Sequence, residues 1–225
     1  MLCLAIDTST KTGGAAVVDG DKILGEYVLD LERKTHSERV IPAIDSVLKG
    51  IGITVNDLGA IAIAYGPGSF TGLRIGLATA KALSFSLQVP LFKIDTLEAL
   101  ASQLSYLEGI ICPILNARRN EVYAALWQSD GHSITCLKDS RALPLDELLG
   151  DIPPTDKLFF VGEGAQTAES VIKAKLPFSR IIKGTNSILH PATIALRALE
   201  SPPADVDLLV PNYLRKSEAE NKKKL

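Results

Sequence analysis

One succession of secondary-structure patterns occurs twice along the chain, and it constrains the fold more than any other feature of the sequence. In each half, three strand-like stretches come first, and helical and strand-like stretches then alternate. The two halves match in the order of these elements only. Alternation of strands and helices is typical of α/β proteins with parallel strands. The sequence therefore predicts two related lobes, each with the order βββαβα.

In the first half, turn residues and helix-start signals separate the predicted elements. Thr35 and Glu38 fit a capping box, and Pro42 predicts either a kink in the helix that follows or a later start of that helix. Asp95 is predicted to cap a helix that ends near Ser105. The other predicted elements are strands at Leu2–Ile6, Gly13–Val18, Ile23–Leu29, Ala60–Tyr65 and Leu91–Ile94, and helices at Thr35–Lys49 and Thr71–Leu87.

The strand pattern restarts after Ser105–Gly109, which predicts a junction between the lobes there. We assign residues 1–107 to the first lobe, 108–216 to a smaller second lobe and 217–225 to a polar, flexible tail. Strands are predicted at Ile110–Leu115, Glu121–Gln128, Ser133–Leu137 and Leu158–Val161. Helices are predicted at Pro144–Leu149, from the turn at 162–164 to about Lys175, and after Pro191.

Charge and composition exclude several classes of protein. Of 225 residues, 46% are hydrophobic and 22% are charged, which is typical of a folded domain. The 24 basic and 26 acidic residues give a net charge of −2, whereas a domain that binds nucleic acid on its own normally has a pI above about 9. If RNA is involved, another protein is expected to supply most of the positive field.

A cytoplasmic location is predicted from the absence of targeting and membrane signals. Arg74 and Lys81 interrupt the most apolar helical stretch, and no window approaches the roughly 20 apolar residues of a membrane span. The short apolar N-terminus is typical of a strand rather than of a signal peptide. Cys3, Cys112 and Cys136 fit no metal motif, so free, buried thiols in a reducing compartment are expected.

Asp7, Thr8 and Ser9 directly follow the first predicted strand. An acidic residue and hydroxyl groups in that position can hold a metal ion or phosphate oxygens, as in the acetate-kinase/actin/Hsp70 type of fold. Turns that contain such residues are also common at the ends of strands without any ligand. Both interpretations remain open at this point.

The glycine-rich segment Gly66–Gly72 is the most specific stretch of the chain. It is not a Walker A loop, since Leu73 and Arg74 stand where that motif has Lys and Ser or Thr. Ser69 or Thr71 can cap the helix behind it. That helix carries small residues at every fourth position, so one face is nearly bare backbone: Gly72, Gly76 and Ala80. This face could pack on the sheet of the same chain or against a helix of another subunit.

The chain has few groups for catalysis. His36, His132 and His190 form no helical metal-binding pair, and no nucleophile motif is present. A peptidase is therefore disfavoured. Arg118 and Arg119 could contact an RNA phosphate, although a solvated turn is the commoner role of such a pair.

Five stretches together resemble the TsaB (YeaZ) family of bacterial tRNA-modification proteins, and the resemblance covers nearly the whole chain. The glycine-rich stretch is the most specific of them; Asn116 departs from the family, which often has aspartate there. The stretches are Leu4–Ser9, His36–Glu38, Tyr65–Gly76, Asn116–Tyr123 and Pro211–Arg215.

The resemblance implies a two-lobed fold of the acetate-kinase/actin/Hsp70 (ribonuclease H-like) class and a role in forming N6-threonylcarbamoyladenosine (t6A) beside the anticodon of tRNAs that read codons beginning with A. In that system a separate synthase makes threonylcarbamoyl-adenylate, the paralogue TsaD carries the metal and the active site, and the ATPase TsaE joins the TsaB–TsaD pair. TsaB is the non-catalytic partner of TsaD. The tRNA is thus expected to be an indirect partner, and a homodimer is expected when TsaD is absent.

The predicted site residues follow from this resemblance and from the two predicted helices. No catalytic residue, metal or cofactor is assigned to the chain alone, and ATP or ADP is expected only within the complex. Asp7, Thr8 and Ser9 are predicted to be a vestigial phosphate-binding site. The alternative hypothesis is an ATP-dependent kinase or phosphohydrolase that uses Asp7. The predicted partner interface consists of His36, Glu38, Arg39, Gly72, Arg74, Gly76, Leu77, Ala80 and Lys81.

Overall fold

Two five-stranded mixed sheets organise the chain in a computed structural model, which describes residues 1–30, 36–117 and 120–215, with the backbone alone at residues 30 and 36–38. The strands are β1 (Leu2–Asp7), β2 (Thr12–Asp19), β3 (Lys22–Asp30), β4 (Ala60–Gly66), β5 (Leu91–Asp95), β6 (Gly109–Asn116), β7 (Glu121–Ser129), β8 (Ile134–Pro144), β9 (Leu158–Val161) and β10 (Arg180–Ile181). The helices are α1 (His36–Ile51), α2 (Phe70–Leu87), α3 (Thr96–Ser102), α4 (Leu145–Gly150), α5 (Glu163–Thr167), α6 (Glu169–Lys175) and α7 (Pro191–Ala198).

The two sheets have the same topology. The first has the order β3-β2-β1-β4-β5, and the second, in the same sense, has the order β8-β7-β6-β9-β10. In each sheet the first three strands of the chain pair antiparallel and the remaining strands pair parallel. The predicted α/β class and the duplicated, ribonuclease H-like lobes are confirmed.

The helices form layers outside and between the sheets. Helices α1 and α2 cover the outer face of the first sheet, and α4, α5 and α6 cover that of the second. Between the sheets lie α3 and α7, and α7 packs on the first sheet although it follows the second in sequence. Because one apolar cluster joins both sheets through these two helices, the lobes share a core across the boundary predicted at residue 107.

Alternation along β4 shows how the sequence produces these layers. Ala60, Ala62 and Ala64 belong to the cluster between the sheets, whereas Ile61 and Ile63 belong to the cluster beneath the outer helices. Successive side chains of a strand point to opposite faces, so the small residues line one side. A surface of alanines allows α3 and α7 to approach the sheet closely.

Several local predictions differ from the structure. Helix α1 spans His36–Ile51 with Pro42 inside it, which excludes the later start, whereas a kink at Pro42 stays a prediction. The single helix predicted up to Lys175 is two short helices that meet at Ala168. Strand β8 is longer than predicted, and the two-residue β10 was not predicted. The capping box of Thr35 lies outside the described residues, as does the predicted polar tail.

Candidate functional site at the carboxyl ends of β1 and β4

A buried carboxyl group lies at the end of β1. The side chain of Asp7 is fully buried, and its Oδ1 accepts hydrogen bonds from the backbone N–H of Ser9 at 2.8 Å and from the Ser9 hydroxyl at 2.6 Å. Its Oδ2 has no hydrogen-bond partner among the described residues. Burial raises the pKa of Asp7 to about 6, because removal from water disfavours the charged form more than the hydrogen bonds favour it.

The glycine-rich turn closes over this group. The backbone N–H of Ser69 donates to the carbonyl of Ser9 at 2.7 Å, and a Cβ at Gly68 would lie only 2.1 Å from the same oxygen. Thr8 and Ser9 are 2% and 1% exposed. The turn therefore packs directly on the residues that follow β1, and a phosphate-binding role of Asp7, Thr8 and Ser9 stays a prediction.

The bare face of α2 points towards the sheet. The Thr8 hydroxyl donates to the carbonyl of Gly72 at 2.7 Å, and a Cβ at Gly76 would lie 2.2 Å from that hydroxyl oxygen. Leu77 and Ala80 are buried on the same side of the helix. The first alternative, packing within the chain, thus accounts for this face. Gly72, Gly76, Leu77 and Ala80 are therefore not part of the outward surface of α2. An interface between α2 and a partner stays a prediction.

The predicted helix start at the turn is confirmed. The Ser69 side chain is the N-cap of α2 and accepts a hydrogen bond from the backbone N–H of Gly72 at 3.3 Å. The peptide bond between Gly66 and Pro67 is cis.

Residues 204–215, called the C-terminal strap here, cover the free edge of the first sheet. The backbone N–H of Ala204 donates to the carbonyl of Leu91 in β5 at 2.8 Å, and that of Asn212 donates to Tyr65 at the end of β4 at 2.8 Å. Gly66 lies against the strap, since a Cβ there would be 2.8 Å from the carbonyl oxygen of Asn212. The strap thus shields an edge strand that would otherwise be open to pairing.

Asp95 joins the strap to both lobes. It caps α3 by accepting hydrogen bonds from the backbone N–H groups of Leu97 at 2.8 Å and Glu98 at 3.1 Å, as the sequence predicted. It also accepts from the Ser140 hydroxyl of β8 at 2.9 Å and from the Asn212 amide at 3.2 Å. Burial raises the pKa of Asp95 to about 6. The contacts of Asp95 with Ser140 and Asn212 could not be inferred from the local sequence.

The end of the strap reaches the second lobe. The Arg215 guanidinium donates to the carbonyl of Ala117 at 2.5 Å and pairs with Glu121 at 3.1 Å. The stretches Asn116–Tyr123 and Pro211–Arg215, which were separate motifs in the sequence, therefore meet at one place. Arg118 and Arg119 lie outside the described residues.

An aromatic–arginine cluster of Phe70, Arg74 and Tyr213 lies where the strap meets the start of α2. The rings of Phe70 and Tyr213 are stacked, with centroids 4.7 Å apart and an interplanar angle of 26°. The Arg74 guanidinium lies 3.9 Å from the Phe70 centroid, and its Nε donates to the Tyr213 hydroxyl at 2.9 Å. The sequence predicted a role for Arg74 but gave no signal that Tyr213 would lie beside it.

The outward surface of α1 and α2 combines small and apolar side chains with polar ones. On α2, Ala78 and Ala82 are exposed, and Phe85 is 84% exposed. On α1, Ile41 is 56% exposed. Of the predicted interface residues, Arg74 is exposed and Arg39 and Lys81 are half-buried, whereas the side chains of His36 and Glu38 lie outside the described set.

The described residues hold no group of three or more His, Cys, Asp or Glu side chains that could bind a metal ion. All three cysteines are free; Cys3 and Cys112 are buried, but Cys136 is exposed, contrary to the expectation of three buried thiols. Among the described helices, none has the length and apolar composition that crossing a membrane would require.

Comparisons with known proteins agree with this architecture. A family model described as TsaD, tRNA N6-adenosine threonylcarbamoyltransferase, matches residues 29–223. A Bacillus subtilis protein named tRNA threonylcarbamoyladenosine biosynthesis protein TsaB is 36% identical over 225 residues, which are 99% of this chain and 97% of the relative. The Escherichia coli protein of the same name is 30% identical over 151 residues, 66% of this chain and 64% of the relative.

Solved structures extend the similarity to the fold. A Pseudomonas aeruginosa protein described as similar to peptidase YEAZ superposes with a TM-score of 0.78 at 25% identity, over 95% of this chain and 99% of that chain. A structure of YeaZ from the same organism gives a TM-score of 0.76 at 24% identity over the same shares. With a relative that aligns over almost its full length, the chain belongs to the TsaB (YeaZ) family of tRNA threonylcarbamoyladenosine biosynthesis proteins.

Proposed function

We propose that the chain is the non-catalytic subunit of t6A biosynthesis that binds and supports the catalytic paralogue TsaD. The relatives' names supply the pathway. The observation that supports a binding role is the outward face of α2, where Phe85 is 84% exposed beside small side chains. An exposed apolar surface on a folded protein is typical of a protein interface.

The burial of Asp7 supports the proposal that this chain has no catalytic activity of its own. The Asp7 side chain is fully buried, and the glycine-rich turn packs on Ser9 beside it. A kinase or phosphohydrolase that uses Asp7 would require this carboxyl group to become accessible to a ligand. We therefore expect no sub-micromolar binding of ATP and magnesium by the isolated chain in calorimetry. Tight binding that is lost in Asp7→Ala would favour the kinase hypothesis instead.

The outward face of α1 and α2 has the composition of an interface. The exposed side chains of the two helices include apolar groups such as Ile41 and Phe85, and Arg39, Arg74 and Lys81 are among the charged residues of these helices. Burial of apolar surface stabilises a complex by roughly 25 cal/mol per Å² before the cost of association is subtracted. TsaE would join the resulting pair, and the tRNA would be held mainly by the other subunits, because this chain has a net charge of −2. A second copy would occupy the same face when TsaD is absent.

The functional assignment is tested by reconstituting t6A formation from purified components. The threonylcarbamoyl-adenylate synthase, TsaD, TsaE and tRNA are incubated with and without this chain, and t6A is measured by mass spectrometry of nucleosides. We expect modification only when the chain is present. Equal modification without it would refute the proposed function.

The interface is tested by a matched pair of substitutions. Phe85 on α2 and Phe178 beside β10 are 84% and 85% exposed, so Phe85→Ser and Phe178→Ser remove the same exposed group from the two lobes. We expect Phe85→Ser to weaken binding to TsaD roughly 30-fold, the effect of an interface hot spot, and Phe178→Ser to leave it unchanged. Calorimetric titration measures both. Equal affinities of the two variants would exclude the outward face of α2 as the interface.

A further inference from the structure

The guanidinium of Arg74 is held in one orientation by its neighbours. The Phe70 ring lies 3.9 Å from it, and the Tyr213 hydroxyl accepts its Nε–H at 2.9 Å. The two rings are themselves stacked. The side chain is nevertheless exposed, and no carboxylate among the described residues pairs with it. Its two terminal amino groups therefore have no hydrogen-bond partner in the part of the chain that the structure describes.

This arrangement lowers the cost of binding an oxyanion. A free arginine side chain loses rotamer freedom when it forms an ion pair, whereas one already held by stacking loses little. Arginine also donates two parallel hydrogen bonds to a carboxylate or phosphate, which lysine cannot do. The cluster is thus prepared for a carboxylate or a phosphate.

The surroundings favour a carboxylate on a protein over an RNA phosphate. Helix α2 has no acidic residue and two basic ones, Arg74 and Lys81, which are seven residues apart and hence near the same side of the helix. Between and beyond them on α2 the exposed residues are Ala78, Ala82, Phe85 and Ser86. RNA-binding surfaces combine several cations, whereas isolated arginines beside apolar groups are typical of protein interfaces.

We propose that the aromatic–arginine cluster of Phe70, Arg74 and Tyr213 receives an Asp or Glu side chain of the partner protein. The inference rests on the proposed function, since the partner is taken to be TsaD. It goes beyond the proposed function in one respect: the interface includes the C-terminal strap, through Tyr213, as well as the helices. The strap thereby links partner binding to the contacts of Asn212 and Asp95 at the lobe junction.

The test measures the affinity of full-length variants for TsaD at low and high salt. Arg74→Lys keeps the charge but loses the paired donors, and we expect roughly tenfold weaker binding. Tyr213→Phe keeps the stacked ring but removes the hydroxyl that orients Nε, and we expect a several-fold loss. Arg180→Lys is the matched control, because Arg180 is an exposed arginine on β10 and its substitution should change nothing. Thermal unfolding checks that each variant is folded.

The partner's carboxylate is identified by substituting each acidic residue on the TsaD surface with its amide. One of these substitutions should weaken the wild-type complex but have no further effect on the Arg74→Lys complex. If wild type binds TsaD and Arg74→Lys binds equally well, the inference is wrong and the proposed function stands. If Arg74→Lys loses affinity for tRNA but not for TsaD, the cluster binds phosphate and the inference is also wrong. If wild type itself does not bind TsaD, the proposed function and the inference both fail.

Discussion

The two lobes share one topology but use it differently. Each has a sheet with the same strand order, yet the outer helix that follows the fourth strand is 18 residues long in the first lobe and 5 in the second. The first lobe also has its sheet edge covered by the C-terminal strap. The surface with large exposed apolar groups on a long helix therefore belongs to the first lobe. Duplication of the fold did not duplicate the proposed binding surface.

The ends of the first strands show the same divergence. In β1 the last residue is Asp7, which is fully buried, and in β6 it is Asn116, which is exposed and whose amide lies 3.4 Å from the Thr167 hydroxyl. A glycine packs near the end of the first strand in both lobes: Gly68 on Ser9, two residues after β1, and Gly164 of α5 on Ile114 of β6. This close approach is thus common to the lobes, whereas the buried acid is particular to the first.

The largest expected effect on the free energy of unfolding is at Gly68 and Gly164. A Cβ at Gly68 would lie 2.1 Å from a backbone oxygen, and one at Gly164 would lie 2.7 Å from the Ile114 Cγ2 and 2.9 Å from a backbone oxygen. We expect Gly68→Ala to lower the free energy of unfolding by on the order of 4 kcal/mol, and Gly164→Ala by about 2 kcal/mol, because the clash with a backbone oxygen is much closer at Gly68, at 2.1 Å, than at Gly164, at 2.9 Å. Denaturant unfolding measures both.

Gly50→Ala is the control for this pair. Nothing lies within 4 Å of a Cβ at Gly50, which is in α1, so alanine should stabilise the chain by about 0.5 kcal/mol. A smaller loss for Gly68→Ala than for Gly164→Ala would show that the turn of the first lobe can move, and would revive the possibility of a nucleotide site there.

The second prediction concerns Asp7→Asn. This substitution places at the end of β1 the residue type that ends β6 in the second lobe. The folded chain binds a proton at Asp7 with a pKa of about 6, against 3.8 for the ordinary group. Between those values the folded state holds more of this proton than the unfolded chain does, so the free energy of unfolding falls as pH rises from about 4 to 6. Asp7→Asn should remove this fall, which amounts to roughly 3 kcal/mol at most.

Unfolding curves of both proteins at pH 4.5 and 7.5 measure the difference. Burial also raises the pKa of Asp95 to about 6, but that group is present in both proteins and cancels in the comparison. Identical pH dependence of wild type and Asp7→Asn would mean that folding does not raise the pKa of Asp7.

The smallest effect is expected at the strap. Asn212→Ala removes the amide that donates to Asp95 at 3.2 Å, and should lower the free energy of unfolding by about 1 kcal/mol. Asn116→Ala is the matched substitution in the second lobe, where the amide is exposed, and should cost less than about 0.5 kcal/mol. Equal losses would indicate that the strap contributes nothing specific to the first lobe.

Periodicity and turn residues were sufficient to predict most of the fold. Apolar runs such as Ala60–Tyr65, followed by glycine-rich turns, gave the order of strands and helices in both halves. The start of α2 and the cap at Asp95 were also correct, because capping depends on residues that are adjacent in the chain. The break between α5 and α6 was missed, since no glycine or proline marks it.

The candidate site was predicted in part. Asp7 and the glycine-rich turn were recognised as separate features, but their contact through Gly68 and Ser9 was not. The spacing of Gly72, Gly76 and Ala80 shows that they share one face of a helix. The spacing does not show what that face contacts. In the structure, the face packs against Thr8 of the same chain.

The sequence by itself determined the local elements, the duplicated order and the family, because each depends on patterns within a few residues or on motifs read directly. Only the tertiary structure decided which groups meet across long separations. Arg74 and Tyr213 are 139 residues apart, and Asp95 and Asn212 are 117 apart. Such contacts depend on how the sheets, α7 and the strap pack together, since burial of apolar surface stabilises many pairings and the shape of the whole chain selects one.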